Sequence, residues 1–271
     1  MRNNQTLTMG KVETIDSLQT YVAAPTDGSK ARTIIFLVDC ESLSHLVVWK
    51  EPQVFGWELH TIRELADTYA RAGFYCYIPD IHRGDSFPTE FLRNLEPTLV
   101  ARQHLSRIER TKAAASMGME LPQWLIQHRE VLTKPLIDSF IKTIRECPET
   151  SKIGVMGFSW GGRYAVLASH GQVDAVYACD PWLLIVPEDF SKISAPLSLA
   201  FGESDSHMSS STLQQIKQIL NSMTQVPNEL KIYKAQVHGF TLRCDSRFHE
   251  DHLAQDEARN RGLDWFRKHL V

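Results

Sequence analysis

Runs of apolar, largely β-branched residues alternate along the chain with stretches in which apolar residues recur at helical spacing. Each apolar run predicts a β-strand, and these runs lie at residues 20–25, 32–39, 74–80, 152–158, 173–180, 196–202 and 229–235. Apolar positions three and four residues apart predict amphipathic helices around residues 59–69, 136–144, 163–170, 213–220 and 251–269. Strands that alternate with helices form a mostly parallel sheet covered on both faces, so an α/β fold is expected.

Two segments interrupt this alternation. Residues 41–57 form a long connection, and residues 86–133 form a polar insertion that is expected to be helical. Both follow strand ends, where parallel sheets bind their ligands, so they are expected either to roof a site or to decorate the surface. The chain shows no linker, internal repeat or low-complexity tract, and we therefore predict a single domain over residues 1–271.

The bulk composition narrows the expected partners and location. The chain has 271 residues, of which 43% are hydrophobic, and its net charge of −3 lacks the basic excess of a nucleic-acid-binding protein. No apolar run approaches the roughly 20 residues that span a bilayer, and the first residues lack the apolar core of a signal peptide. The five cysteines are scattered and form no CxxC pair, which favours a reducing compartment. We expect a soluble, cytoplasmic protein that binds neither nucleic acid nor a membrane.

The stretch VMGFSWGG, residues 155–162, contains a G-x-S-x-G pattern centred on Ser159. It follows the predicted strand at 152–158 and precedes the predicted helix at 163–170, which is the context of a nucleophile elbow. Such a turn projects the hydroxyl above the sheet at a helix N-terminus, where unpaired N–H groups favour developing negative charge. A serine that only caps the helix is the alternative, and the combined pattern favours a nucleophile.

A serine nucleophile needs a base and an acid, and in this kind of fold the chain order is Ser, then Asp or Glu, then His. Six histidines follow Ser159, and His238 is the best placed because it comes just after the last predicted strand. For the acid, Asp205 follows the preceding predicted strand and Asp180 ends the one before that, with Glu203 a weaker candidate. From the residues alone, the choice of acid stays open.

Three motifs, GFSWGG, FGESDSH and VHGF, occur in an order and at a spacing that resembles the dienelactone hydrolase family of α/β-hydrolases. RAGFYCYIPDIHRGD, residues 71–85, looks like the family's segment of strand, Pro-Asp and basic loop, and residues 10–25 are similar to its opening hairpin. The resemblance covers most of the chain apart from the two insertions. It implies an α/β-hydrolase fold, with a mostly parallel central sheet, helices on both faces and a helical insertion.

Carried over to the matching positions, the resemblance makes Ser159 the nucleophile, His238 the base and Asp205 the acid, in preference to Asp180. A serine stands where founding members of the family use cysteine. This difference points to general ester or acyl chemistry rather than to dienelactone itself.

The resemblance also assigns groups around these three residues. The family's two oxyanion donors are backbone N–H groups, and they correspond here to Trp160 and to Cys40, which follows Asp39 at a strand end. Asp39 is expected to line the substrate site, although residues 39–42 depart from the family's usual acid-x-aromatic-glycine stretch. Arg243 resembles an arginine that family members place near a substrate carboxylate, and Arg83 in the basic loop is expected to assist it.

The sequence therefore predicts a serine hydrolase that cleaves an ester or lactone of a small substrate, with or without a carboxylate, through an acyl-enzyme. No metal-binding, GxGxxG or P-loop motif occurs, so neither a metal nor a cofactor is expected. Two alternatives stay open, namely a non-catalytic protein of this fold that binds a ligand or partner, and an acyltransferase that uses the same three residues. The oligomeric state does not follow from the sequence.

Overall fold

The computed structural model of the protein describes residues 9–38, 57, 60–85, 122–242 and 248–271. Its strands are β1 (Lys11–Ile15), β2 (Leu18–Ala23), β3 (Arg32–Leu37), β4 (Tyr75–Pro79), β5 (Lys152–Phe158), β6 (Ala175–Cys179), β7 (Leu197–Gly202) and β8 (Asn228–Tyr233). Its main helices are α1 (His60–Arg71), α2 (Glu130–Arg145), α3 (Trp160–Ala168), α4 (Ser210–Ser222) and α5 (His249–His269). Every predicted strand and helix is present, with ends that differ somewhat from the predicted bounds. β1 is additional, and it pairs with β2 in the hairpin that the resemblance implied.

The described strands form one sheet in the order β1-β2-β4-β3-β5-β6-β7-β8. The pairings of β2 with β1 and with β4 are antiparallel, and every pairing from β4 to β8 is parallel. The strand order reverses between β3 and β5, and in such sheets the crevice at the carboxyl ends of the two strands is the usual ligand site. The topology therefore predicts a ligand site at the loops that follow β3 and β5.

The strands read as continuous apolar runs because both faces of the sheet are buried. In β3, Ile35 and Leu37 pack on the face covered by α2, α3 and α4, while Ile34 and Phe36 pack on the face covered by α1 and α5. Successive strand residues point to opposite faces, so one apolar run supplies two cores. This arrangement confirms the predicted mostly parallel sheet with helices on both of its faces.

The predicted insertions are described only in part. Residues 41–56 and 86–121 lie outside the described ranges, whereas residues 122–127 form a short helix that leads into α2. Trp124 in this short helix is 5% exposed and belongs to the core on the α2 face. The predicted insertion ends inside α2, whose first turn is residues 130–133. The described end of the insertion is therefore part of the packed core.

Helix α5, 21 residues long, packs on the sheet through Ala258, Leu263 and Phe266 and carries many charged side chains. Neither α5 nor any other helix within the described ranges is both long and apolar enough to cross a membrane.

Candidate active site

The three residues predicted as nucleophile, acid and base lie on loops at one edge of the sheet. Ser159 follows β5, Asp205 follows β7 and His238 follows β8. These strands are parallel members of one sheet, so their carboxyl ends converge on the same edge. The fold thereby brings Ser159 and His238, which are 79 positions apart, into contact.

Ser159, His238 and Asp205, hereafter the triad, form a hydrogen-bonded series. Ser159 Oγ lies 2.7 Å from His238 Nε2, and His238 Nδ1 lies 2.9 Å from Asp205 Oδ2. The residues are 2%, 1% and 7% exposed, respectively. Because a carboxylate can only accept, His238 Nδ1 carries the hydrogen of the neutral ring and Nε2 presents its lone pair to the serine hydroxyl. A histidine in this orientation can take the serine proton.

The turn that holds Ser159 is strained and closely packed. Its φ of 49° and ψ of −115° are backbone angles that residues with a side chain rarely adopt. A Cβ on Gly157 would lie 2.4 Å from the carbonyl oxygen of Gly161, and one on Gly161 would lie 2.2 Å from that of Leu37. Ser159 occupies the N-cap position of α3, but its side chain makes no capping hydrogen bond. Its hydroxyl therefore serves the contact with His238 rather than a helix cap.

The other candidate acids, Asp180 and Glu203, hold backbone N–H groups. Asp180 is fully buried at the end of β6, and its two carboxylate oxygens accept from Gly202 N at 2.9 Å and Gly239 N at 3.1 Å. Glu203 accepts from a backbone N–H just after β8 at 3.0 Å. Asp180 thus ties the end of β7 to the loop that carries His238.

The acid of the triad is poised to remain ionised. Burial raises the pKa of the Asp205 carboxyl, but the hydrogen bond and charge of His238 outweigh this effect and the pKa falls below its ordinary value. The backbone N–H of His207 contributes in the same direction, donating to Asp205 Oδ1 at 2.8 Å. Each carboxylate oxygen therefore has its own donor, which fixes the carboxylate relative to the ring.

Of the remaining predicted site residues, Trp160 and Arg83 lie within the described ranges. Trp160 is the first residue of α3 and is 2% exposed, and a first-turn N–H such as its own has no partner within the helix. Arg83 is exposed in the turn after β4, where its φ is 54°, and its side chain makes no hydrogen bond or ion pair with the described residues. Asp39, Cys40 and Arg243 lie outside the described ranges. Within those ranges, no group of three or more His, Cys, Asp and Glu side chains is arranged to hold a metal ion.

A cluster of rings lies beside the elbow, and its two histidines, His82 and His128, were not singled out from the sequence. The ring centroid of His82, in the turn after β4, lies 4.5 Å from that of Trp160 and 5.1 Å from that of Trp124. His82 Nδ1 faces His128 Nδ1 at 3.4 Å. His82 is next to Arg83 in the sequence, and no pattern there distinguishes a buried histidine from an exposed arginine. His128 lies in the predicted insertion, without a strand end to place it.

Trp182 and His207 bring further aromatic rings close to Ser159 and His238. The backbone N–H of Trp182 donates to the carbonyl oxygen of Ser159 at 2.9 Å. The ring of Trp182 lies 5.1 Å from that of His207, which lies 4.7 Å from that of His238. Walls of aromatic rings with a few convergent polar groups are typical of sites for small organic molecules.

Comparisons with known proteins give similarities along nearly the whole chain. The model of the dienelactone hydrolase family matches residues 36–270. The hydrolase pyvD of Aspergillus violaceofuscus is 25% identical over 264 residues, covering 97% of this chain and 91% of that protein. The carboxymethylenebutenolidase homolog of Mus musculus is 23% identical over 272 residues, covering 97% and 92%. Among solved structures, a putative dienelactone hydrolase from Klebsiella pneumoniae superposes with a TM-score of 0.66 at 16% identity, covering 96% of this chain and 99% of that one.

Proposed function

The chain belongs to the dienelactone hydrolase family, and from this premise we propose that it is a serine hydrolase that cleaves its substrate through an acyl-enzyme. The family indicates a hydrolase that acts on ester or lactone bonds. The serine nucleophile and the covalent intermediate are the added proposal. The observation that carries it is the 2.7 Å contact between Ser159 Oγ and His238 Nε2, with Asp205 bonded to the other ring nitrogen at 2.9 Å.

In the first step, Ser159 Oγ attacks the carbonyl carbon while His238 Nε2 takes the hydroxyl proton. The new C–O bond forms, the carbonyl oxygen takes the negative charge, and His238 becomes a cation that Asp205 stabilises. His238 then gives the proton to the leaving oxygen as the substrate C–O bond breaks. An ester releases its alcohol, whereas a lactone opens and stays attached through its acyl group.

In the second step, water replaces the leaving alcohol. His238 Nε2 takes a proton from the water as its oxygen attacks the acyl carbon, and the same proton returns to Ser159 Oγ as the acyl-enzyme bond breaks. The carboxylic acid leaves, and the triad returns to its starting protonation state.

The oxyanion of both steps requires positioned hydrogen-bond donors. The backbone N–H of Trp160 suits this role because it lies at the start of α3, directly after the nucleophile, where the helix dipole also favours negative charge. The resemblance assigns the second donor to the N–H of Cys40, which lies outside the described ranges. Loss of one such donor typically costs about 10²–10³ in turnover.

The substrate class follows from the family and from the rings around the nucleophile. The name of the mouse relative, carboxymethylenebutenolidase homolog, makes an unsaturated lactone that carries a carboxylate the first class to test. The ring of Trp182 suits a planar acyl group, since Trp182 donates its backbone N–H to Ser159 and its ring contacts that of His207. The resemblance assigns the carboxylate to Arg243 and Arg83, and the exposure of Arg83 makes a small contribution from that side chain more consistent with the structure.

Intact-mass analysis after treatment with a fluorophosphonate tests the proposal. We expect a single adduct on the wild type and none on Ser159→Ala, because only an activated serine reacts at a useful rate. Ser209→Ala is the matched control, since Ser209 is an exposed serine that caps α4 through the N–H of Thr212. That variant should label like the wild type.

An adduct on Ser159→Ala, or no adduct on folded wild type, would contradict the proposal, and the second outcome would favour a non-catalytic binding protein. Products formed from a labelled ester in the presence of a competing alcohol separate the remaining alternatives. A hydrolase yields mainly the free acid, whereas an acyltransferase yields mainly the new ester.

A further inference from the structure

A second series of hydrogen-bonding groups lies beside the elbow, and the mechanism above does not use it. Asp85 Oδ2 lies 2.9 Å from His128 Nε2, the Nδ1 atoms of His128 and His82 are 3.4 Å apart, and His82 Nε2 lies 3.4 Å from the carbonyl oxygen of Val38. We call these four groups the histidine chain. It runs from a carboxylate at the surface to a backbone carbonyl just past β3.

The two ends of the histidine chain fix where its hydrogens lie. A carboxylate and a backbone carbonyl can only accept, so His128 Nε2 and His82 Nε2 must each carry a hydrogen. In two neutral rings, both Nδ1 atoms then present lone pairs to one another. A bond between them requires a third hydrogen, which gives the pair one positive charge opposite the Asp85 carboxylate. The facing Nδ1 atoms thus match two imidazoles that share one proton.

In these surroundings the shared proton removes a repulsion between the two Nδ1 lone pairs. His82 is 7% exposed, and its ring contacts those of Trp124 and Trp160, with centroids at 5.1 and 4.5 Å. The side chain of His128 is 11% exposed, and its ring lies 4.2 Å from that of Trp124. Two facing lone pairs repel each other, and side chains buried to this extent leave little room for water to compensate.

Several other charged or titratable groups lie on the elements packed around the pair. The described ones are Asp80, Arg83 and Asp85 in the turn after β4, Arg129 and Glu130 at the start of α2, and Arg163 and Tyr164 on α3. Arg163 is engaged by Glu130 at 2.7 Å and by Asp189 at 2.8 Å. Asp80 accepts from backbone N–H groups, including that of His82, whereas Asp85 contacts a ring nitrogen of the pair.

The inner end of the histidine chain lies against the nucleophile elbow. Val38 follows Leu37, whose carbonyl oxygen packs so tightly on Gly161 that an added Cβ would lie 2.2 Å from it. On the other side, the ring of His82 packs on that of Trp160. A displacement of His82 would therefore shift both the end of β3 and the ring of Trp160, the residue after Ser159.

We propose that His82 and His128 share one proton and that His82, held in this way, is a positioning residue for the hydrolysis proposed above. With the proton in place, His82 donates to Val38 and keeps the end of β3 and the ring of Trp160 in the arrangement that receives the oxyanion. When the proton is lost, the two rings repel each other and this arrangement loosens. The inference rests on the proposed function.

The direction of the pH effect follows from the number of protons bound. Burial and the charge of neighbouring His128 lower the pKa of His82 to about 3, so His82 does not hold a proton of its own beside a charged neighbour. The positioned arrangement binds one proton more than the loosened one. It is therefore present at lower pH and is lost as pH rises past the pKa of the pair. The rate of a serine hydrolase rises with pH as its base loses a proton. Loss of the shared proton should make this rate fall again at higher pH, which gives the rate–pH curve a falling alkaline limb.

Two substitutions at His128 distinguish the effect of a hydrogen facing His82 from the effect of the His128 side chain itself. His128→Asn offers amide hydrogens that do not titrate, so one can face His82 Nδ1 at every pH, whereas His128→Leu offers none. Using the rate constant of fluorophosphonate labelling, we expect an alkaline fall for the wild type and a flat limb for His128→Asn. For His128→Leu we expect a rate lowered about tenfold at all pH values, in line with the cost of small misplacements. His60→Asn is the control and should match the wild type, because the His60 side chain is 51% exposed on α1.

Equal alkaline limbs in the wild type and His128→Asn, or an unchanged rate in His128→Leu, would overturn the inference. The same assay separates this failure from failure of the proposed function. A wild type that labels at no pH refutes the proposed function, whereas labelling that is unaffected by both substitutions refutes only the histidine chain.

Nuclear magnetic resonance of the ¹⁵N-histidine-labelled wild type gives a readout that does not depend on reactivity. At the pH where labelling is fastest, we expect His82 to carry its hydrogen on Nε2 and His128 to carry hydrogens on both nitrogens. A neutral His128 at that pH, with a bare Nδ1, would overturn the shared proton whatever the labelling rates are.

Discussion

The triad and the histidine chain are built from the same kinds of groups, yet they are suited to different tasks. Each begins with a carboxylate oxygen 2.9 Å from an imidazole nitrogen and continues through that ring to another polar atom. The triad ends in a hydroxyl held on a strained turn at a helix N-terminus, whereas the histidine chain ends in a second imidazole bonded to a backbone carbonyl. A carboxylate and an imidazole together supply proton affinity and orientation. The group bonded to the other side of the ring, a serine hydroxyl or a second imidazole, determines whether the pair is suited to a reaction or to a structural role.

The two carboxylates also differ in exposure. The Asp205 side chain is 2% exposed and that of Asp85 is 54% exposed. An exposed ion pair is screened by water and salt, so its loss has a small effect, whereas a buried carboxylate that orients a ring has few substitutes. The difference between the two regions can therefore be tested by changing both in the same way.

The largest expected difference comes from Asp205→Asn compared with Asp85→Asn. In the first variant an amide no longer fixes the tautomer of His238, and we expect fluorophosphonate labelling to slow by about 10³–10⁴. In the second, we expect at most about a tenfold loss at neutral pH. The alkaline limb should also begin at lower pH, because the shared proton has lost its counter-charge. Rates from intact-mass time courses, with circular dichroism to verify folding, make the comparison. Equal losses of labelling rate in the two variants would mean that the triad and the histidine chain do not have separate tasks.

A smaller effect is expected from Asp180→Asn, next to the triad, and it should leave the histidine chain unchanged. The amide can accept only one of the two buried N–H groups that Asp180 now holds, so the free energy of unfolding in urea should fall by about 1–3 kcal/mol. The labelling rate should fall by roughly 10- to 100-fold as the His238 loop loosens. Asp264→Asn is the control, because the Asp264 side chain is 74% exposed. A shifted alkaline limb in Asp180→Asn would show that the two regions are coupled.

The smallest effect is expected next to the histidine chain, at Arg83. If the exposed Arg83 assists in binding a substrate carboxylate, Arg83→Ala should raise KM for a carboxylate-bearing ester by no more than about threefold, as for other exposed ion pairs. It should leave KM for the matched methyl ester unchanged. Steady-state kinetics with the two esters provide the measurement. A tenfold or larger increase for the charged ester alone would mean that Arg83 approaches the nucleophile more closely when substrate binds.

Most of the fold could be predicted because each parallel strand is buried on both faces and therefore appears as a continuous apolar run. β1 lacks such a run, since it is an edge strand whose residues Lys11–Ile15 are exposed or half-buried, and only the resemblance indicated it. The contact between Ser159 and His238 could be predicted because strand ends of a parallel sheet meet at one edge. The carboxylate that contacts His238 could not be chosen in this way, since Asp180 and Asp205 both follow strands at that edge. Only the packing separates a carboxylate that bonds the histidine ring from one that bonds two backbone N–H groups.

The histidine chain could not be predicted from local pattern at all. His82 and His128 are 46 positions apart, and His128 lies in a segment without a strand end to fix its position. Their contact depends on how the short helix at residues 122–127 packs, with the ring of Trp124 against that of Trp160, and this packing is decided by side-chain shape. A sequence in which several histidines are surface groups gives no sign of which two will face each other in the core.

The carboxylate of Asp180 has a consequence for the motion of the active site. Gly202 and Gly239 donate to its two oxygens, so neither amide hydrogen can exchange with deuterium until that carboxylate releases it. One opening event then exposes both amides, and they should exchange at a common rate. The loop that carries the acid and the loop that carries the base would in that case open as one cooperative unit. The lifetime of the assembled triad could be followed in the resting protein, with no substrate present, from the deuterium uptake of two glycines.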